Sequence, residues 1–222
     1  MKKVFMLVVG IMFFAVAAQA AGLDVIGQSG GYLVPNAQIS NRLAVSTTYT
    51  NLDKNAANDV AVSLGVLKHL EVSYARQDNQ ENIYGAKLGF SFKKKTLATS
   101  FALGVVSTNI QSVSGLNALD AYLAGQLGFQ ILKHNVDAVL VLNSTDSFGT
   151  RKYLGQASVG VEVVKGWDVY GEFVQNPEKT HNQMSAFVQR DLGNAVIKAG
   201  VADLAGNKLD NQFFLSASIL GI

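Results

Sequence analysis

After Ser40 the chain alternates. Leu43, Val45, Thr47 and Tyr49 are interleaved with Ala44, Ser46 and Thr48, and the same period of two keeps returning down to residue 219. Successive side chains of a strand point to opposite faces, so each such stretch reads as a strand with one apolar face. A helix would bring its apolar residues back every three or four positions instead. The alternating stretches are 43–49, 60–66, 70–74, 84–92, 97–105, 119–131, 136–142, 153–163, 167–173 and 213–219, with weaker ones at 183–191 and 194–203. That makes twelve expected strands of about ten residues, the ~9–11 that a tilted strand needs to cross a bilayer. Strands of soluble sheets are nearer ~5–6 residues.

The links between these stretches alternate in length. Short ones fall at 67–69, 93–95, 132–135, 165–166 and 192–193; longer polar ones fall at 51–58, 77–82, 108–117, 144–152, 176–182 and 204–211. Short turns at one rim and long loops at the other are the plan of an up-and-down barrel in an outer membrane. In hydrocarbon every backbone polar group must be paired, which leaves a helix or a closed sheet as the only spanning forms. The face opposite the apolar one is Gly, Ala, Ser, Gln and scattered charge. A soluble barrel would turn its apolar face inward, and periodicity alone does not say which face points in. Strand length and the bulk of the apolar set favour apolar-out. The fold expected is therefore all-β, an up-and-down antiparallel transmembrane β-barrel of about 12 strands. A soluble periplasmic β-barrel binding a small ligand is the alternative.

Composition narrows the rest. The chain of 222 residues is 49% hydrophobic and 15% charged, with 21 glycines, two prolines and no cysteine. Disorder needs low hydrophobicity and high charge. Disulfide scaffolds and thiolate metal sites need cysteine. Past the first twenty residues no apolar run reaches the length of a membrane helix. Those twenty residues read as a secretory signal peptide: Lys2 and Lys3, an apolar stretch over 4–16, then Ala18-Gln19-Ala20, with cleavage expected after Ala20. The full chain carries 18 basic and 16 acidic residues; Lys2 and Lys3 leave with the signal, so the two signs then balance. No basic surface for nucleic acid is expected. The division expected is 1–20 signal peptide, 21–39 an N-terminal arm or a segment tucked into the lumen, and 40–222 the barrel.

Taken together, the alternation and the links resemble the bacterial outer-membrane β-barrel group, porin-like proteins included. The stretch Gly27-Gln-Ser-Gly-Gly-Tyr-Leu-Val-Pro-Asn-Ala37 also resembles an opening motif, G-x-[ST]-G-x-x-x-x-P-[TN]-A, of outer-membrane proteins linked to exopolysaccharide export. The resemblance implies a non-enzymatic small pore or a structural envelope protein in the outer membrane, and the opening motif implies a tie to surface polysaccharide. Outer-membrane lipid, the barrel assembly machinery and small solutes or polysaccharide are the partners it implies, with no cofactor. The chain departs from the group at its end, Ser218-Ile-Leu-Gly-Ile222, where an aromatic residue is usual; Phe213 and Phe214 are the nearest rings.

Candidate residues follow from the same frame. Arg42, Glu71, Lys87, Asp120, Glu162, Asp168, Glu172 and Lys198 fall on the polar face. Ionisable residues within a spanning segment line water or pair with one another. With acids in excess, a water-filled lumen would prefer cations; cross-strand pairing in a narrow, plugged barrel is the other reading. Tyr49, Tyr84 and Tyr153 beside long links, and Phe92, Phe129 and Trp167 beside short ones, are expected in two interfacial girdles. His69 and His134 fall at short turns, and no metal site is expected. His181, Ser185 and Glu178 are the one hydrolytic constellation to weigh, because some such barrels cleave lipid with a serine, a histidine and an acid. Four residues along a strand separate His181 from Ser185 by roughly ~13 Å, too far for a direct bond.

Overall fold

A computed structural model describes residues 23–24, 28, 30–31, 33–39, 43–52, 55–77, 81–94, 96–110, 117–147, 150–175, 182–202 and 212–221. Twelve strands follow one another: β1 (Leu43–Leu52), β2 (Asn55–Leu67), β3 (Leu70–Gln77), β4 (Glu81–Lys94), β5 (Leu97–Ile110) and β6 (Asn117–Ile131). The second half holds β7 (His134–Ser147), β8 (Thr150–Val164), β9 (Trp167–Val174), β10 (Gln183–Asp191), β11 (Ala195–Ala202) and β12 (Gln212–Leu220). Each pairs antiparallel with its neighbours in the chain, and β1 pairs with β12, from Ala44↔Leu220 to Asn51↔Phe213, to close the ring. The chain is thus the all-β, up-and-down, twelve-stranded barrel that the alternation implied, and closure leaves no edge strand unpaired.

Several strands run past the apolar alternation at the rim of the long links. The β7–β8 pairing continues to Ser147↔Thr150, and the β1–β2 pairing to Leu52↔Asn55. The long links expected over 144–152 and 51–58 are therefore largely paired strand. Beyond a lipid band both faces of a hairpin meet water, so period two vanishes from the sequence while the backbone ladder goes on.

The faces divide as strand sterics require. Outward positions such as Leu64, Phe90, Leu103, Leu123, Leu140 and Leu215 are exposed, while Ser63, Lys87, Ala102, Gln126, Ser158 and Ser216 are buried. A soluble barrel needs the reverse. A continuous apolar band around a closed sheet far exceeds the patches that water-soluble monomers leave exposed. This barrel is built to sit in a membrane.

Inward glycines sit opposite large inward side chains on the next strand. Gly104 faces Tyr122, Gly160 faces Tyr170 and Gly200 faces Phe187. A Cβ at Gly104 or Gly160 would collide with the tyrosine ring lying across it, and one at Gly200 with the Phe187 backbone and Cβ. The wall is thinned where a ring must lie flat along it.

The β6–β7 turn departs from the usual turn chemistry. Leu132 and Lys133, between the paired Ile131 and His134, have φ of 50° and 75°. Two positive φ values describe the type I′ turn, which favours Asn-Gly. A side chain in that region costs roughly 1–2 kcal/mol per residue. Replacing Leu132-Lys133 by Asn-Gly is expected to raise the unfolding free energy by about 1 kcal/mol, read as a higher urea midpoint at unchanged slope.

Candidate functional site

The inner wall carries most of the polar-face residues singled out above. Glu71 and Lys87 face each other across β3 and β4 and form an ion pair at 3.2 Å, with both side chains fully buried. Asp168, Glu172 and Lys198 are buried on β9 and β11, and Asp120 is half-buried on β6. Glu162 is half-buried at the short-turn rim, where it accepts bonds from Asn135 Nδ2 and from the Gly166 N–H (3.1 Å), so it braces the β8–β9 turn. Arg42 lies outside the described residues.

Residues that precede β1 meet this wall. Leu23, Asp24, Gln28, Val34, Pro35, Asn36 and Ala37 are buried. The Leu23 N–H donates to Ser218 Oγ on β12 at 3.3 Å. Gly30 and Pro35 form an antiparallel bridge, and the Gly31 N–H donates to the Val34 carbonyl at 3.0 Å, so the chain reverses here in a tight turn. Gly30 is required by close approach: a Cβ there would lie 2.6 Å from the Val34 carbonyl oxygen. Glu172 accepts the Leu33 N–H at 2.8 Å and the Val34 N–H at 3.3 Å, and also the Ser185 hydroxyl at 2.7 Å. Lys198 Nζ donates to the carbonyls of Leu23 (3.2 Å), Gly30 (2.8 Å) and Gly31 (2.5 Å). Those three bonds use the whole donor capacity of an ammonium.

Across the barrel the contacts change character. Tyr122 on β6 donates its hydroxyl to Gln28 Oε1. A Cβ on Gly85 would strike the Gln28 amide, and one on Gly89 would come within 2.8 Å of Ile39. Glycine on β4 thus leaves room for the incoming segment. Burial pushes the Asp24 carboxyl up to about 7, against the pull of its bond from the Gln28 N–H and of the Lys87 and Lys198 ammoniums. Between the segment and β6–β10 lies a cavity of about 30 Å³, lined among others by Gly31, Asn36, Gln126, Asp137, Tyr170 and Gln189. That is room for a water molecule, not for a solute.

The outward aromatics divide between the rims. Tyr49, Tyr84 and Tyr153 are exposed towards the long links; Phe92 and Trp167 are exposed towards the short turns, where Phe129 is half-exposed. The Arg190 guanidinium lies over the Trp167 ring, 4.9 Å from its centre. His69 and His134 sit exposed at short turns, with ring nitrogens 3.0 Å and 2.7 Å from the carbonyls of Gly89 and Glu162. Of the hydrolytic candidates, His181 and Glu178 lie outside the described residues. Ser185 is buried on the inner face with its hydroxyl donated to Glu172, turned away from the lipid-facing side.

Sequence reasoning passed over Tyr122, Tyr170, Asp137, Gln126 and Gln189 as site residues. A signal for the tyrosines was present: each is a ring on an otherwise small polar face, directly opposite a glycine.

No protein-family model matches the chain, and no curated protein matches it. Solved structures do. The KdgM porin in complex with disordered oligogalacturonate superposes with a TM-score of 0.58 at 10% identity, covering 79% of this chain and 98% of that one. A second structure of the KdgM porin gives 0.56 at 10% identity with the same coverage. The chain has the fold of these porin barrels. Likeness at such low identity carries over the architecture and no residue of the interior.

Proposed function

We infer that this chain is a bacterial outer-membrane barrel that acts as a small passive pore, with residues 21–39 as an internal plug. The observation that carries this reading is the contrast between wall and filling. Lys198 and Glu172 are polar groups suited to a wet lumen, and the segment before β1 supplies three partners to the first and two to the second. Without the segment they would face water. Acids outnumber bases among the buried and half-buried inward charges of the described strands, with Asp59, Glu71, Glu81, Asp120, Asp137, Glu162, Asp168, Glu172 and Asp191 against Lys87, Lys152 and Lys198, so the unplugged lumen prefers cations. Small solutes are the cargo, and the sugar-bound state of a barrel of like fold together with the opening motif favours oligosaccharides among them. The outward band meets outer-membrane lipid, and the barrel assembly machinery inserts it. Cleavage after Ala20 would place the new N-terminus two residues before Leu23, at the start of the plug.

Planar-bilayer recording decides the matter. Deletion of 21–39 is expected to give steady, cation-preferring conductance where the full chain gives little. Absence of current from both forms would replace the pore with a structural envelope role, which the buried Glu71–Lys87 pair favours.

A further inference from the structure

The bonds that fasten the segment to β9 and β11 have a feature in common. Those among the described residues are made to main-chain atoms: the N–H groups of Leu33 and Val34 to Glu172, and the carbonyls of Leu23, Gly30 and Gly31 to Lys198. The two wall groups grip the tight turn from Gly31 to Val34 by its outward-pointing donors and acceptors. Charge-assisted bonds of this kind are roughly twice as strong as neutral ones. The turn itself is closed by its own Gly31-to-Val34 bond and the Gly30–Pro35 bridge. It is therefore preorganised for the grip. Gly31 is selected by the clamp, because a Cβ there would drive into the Glu172 carboxylate.

We propose that Glu172 and Lys198 form a main-chain-reading clamp for a peptide turn, and that residues 23–35 are its tethered ligand. The inner wall of β9–β11 is then a peptide-binding site, occupied in cis. Recognition of backbone atoms does not need covalent continuity with β1, so a free peptide of the same sequence fits the same clamp. The tether supplies a high effective concentration that keeps the site filled. This deepens the plugged-pore reading and rests on it for its physiological sense, though the clamp itself is testable without current.

The chain has no cysteine, so one introduced thiol reports alone. Gln189 is buried and lines the cavity beside Gly30, Gly31, Val34 and Asn36. In the full-length protein carrying Gln189→Cys, maleimide labelling is expected to be slow. The charge-swapped variant Glu172→Lys/Lys198→Glu keeps opposite charges on the wall but offers donors to N–H groups and acceptors to carbonyls. It is expected to label at least about tenfold faster, the equivalent of about 1.4 kcal/mol lost from the seated state. Gly31→Val alters the ligand and leaves the barrel wall untouched, so it serves even if the swap fails to fold; it too is expected to label about tenfold faster. Adding a synthetic peptide of native residues 21–39 to full-length Gly31→Val should slow labelling again, and the same peptide carrying Gly31→Val should not. Equal labelling of Gln189→Cys protein with and without Gly31→Val overturns the proposal, as does protection by both peptides alike or by neither. Fast labelling of the variants with no current through them removes the pore and leaves the clamp standing.

Discussion

Arginine in place of Leu140 is expected to cost about 2–4 kcal/mol when the barrel is unfolded from lipid vesicles, the depth-dependent penalty of a cation at the bilayer midplane. Leu140 is 70% exposed and lies mid-strand on β7, between Gly125 and Ala157 in register. An exposed position of a water-soluble protein changes by no more than about 0.5 kcal/mol under most substitutions. The two environments therefore predict results several-fold apart at one residue. Tyr153→Arg, near the rim, supplies the internal scale, since the penalty there falls to about 0–1 kcal/mol. Equal, small effects at both positions would mean that water rather than lipid covers the outward face.

The second large effect lies inside. Lys87→Met alone leaves the Glu71 carboxylate buried without its ammonium, and is expected to destabilise the barrel by about 3–5 kcal/mol. The double variant Glu71→Gln/Lys87→Met removes both charges and is expected to recover most of that loss, because the desolvation of two ions disappears together with their attraction. The pair is fully buried at 3.2 Å, so this non-additivity should be plain in a double-mutant cycle on urea midpoints. Were the single variant as mild as the double one, the lumen at this level would have to be wet enough to solvate an isolated carboxylate.

What the sequence made legible was the part of the fold that touches lipid. Leu97 to Val105 and Leu119 to Ile131 alternate because a strand in a membrane wall has two unlike environments, and β5 and β6 fall there. Where both sides are wet the signal stops, and 144–152 reads as a link although Ser144 to Ser147 and Thr150 to Lys152 are paired strand. The inner wall was half legible. Glu71 and Lys87 are register partners on the two strands of one hairpin, so their pairing follows from the alternation once the turn is placed. The clamp was hidden for a different reason. Lys198 and Glu172 meet the segment through its backbone, and the backbone leaves no mark in a sequence beyond the Gly-Gly that keeps side chains out of the way. Contacts such as Tyr122 to Gln28 join residues 94 positions apart, with no local pattern to announce them.

The bond from Leu23 to Ser218 spans 195 positions, and those from Lys198 to Leu23, Gly30 and Gly31 span 175, 168 and 167. Residues synthesised first therefore complete their bonding only after β11 and β12 have arrived. Contacts so distant in the chain form late, because the entropy of closing so long a loop is spent before they return anything. The seam between β1 and β12 is as distant, 176 positions between Ala44 and Leu220, so closing the ring and filling its centre belong to the same late stage of folding.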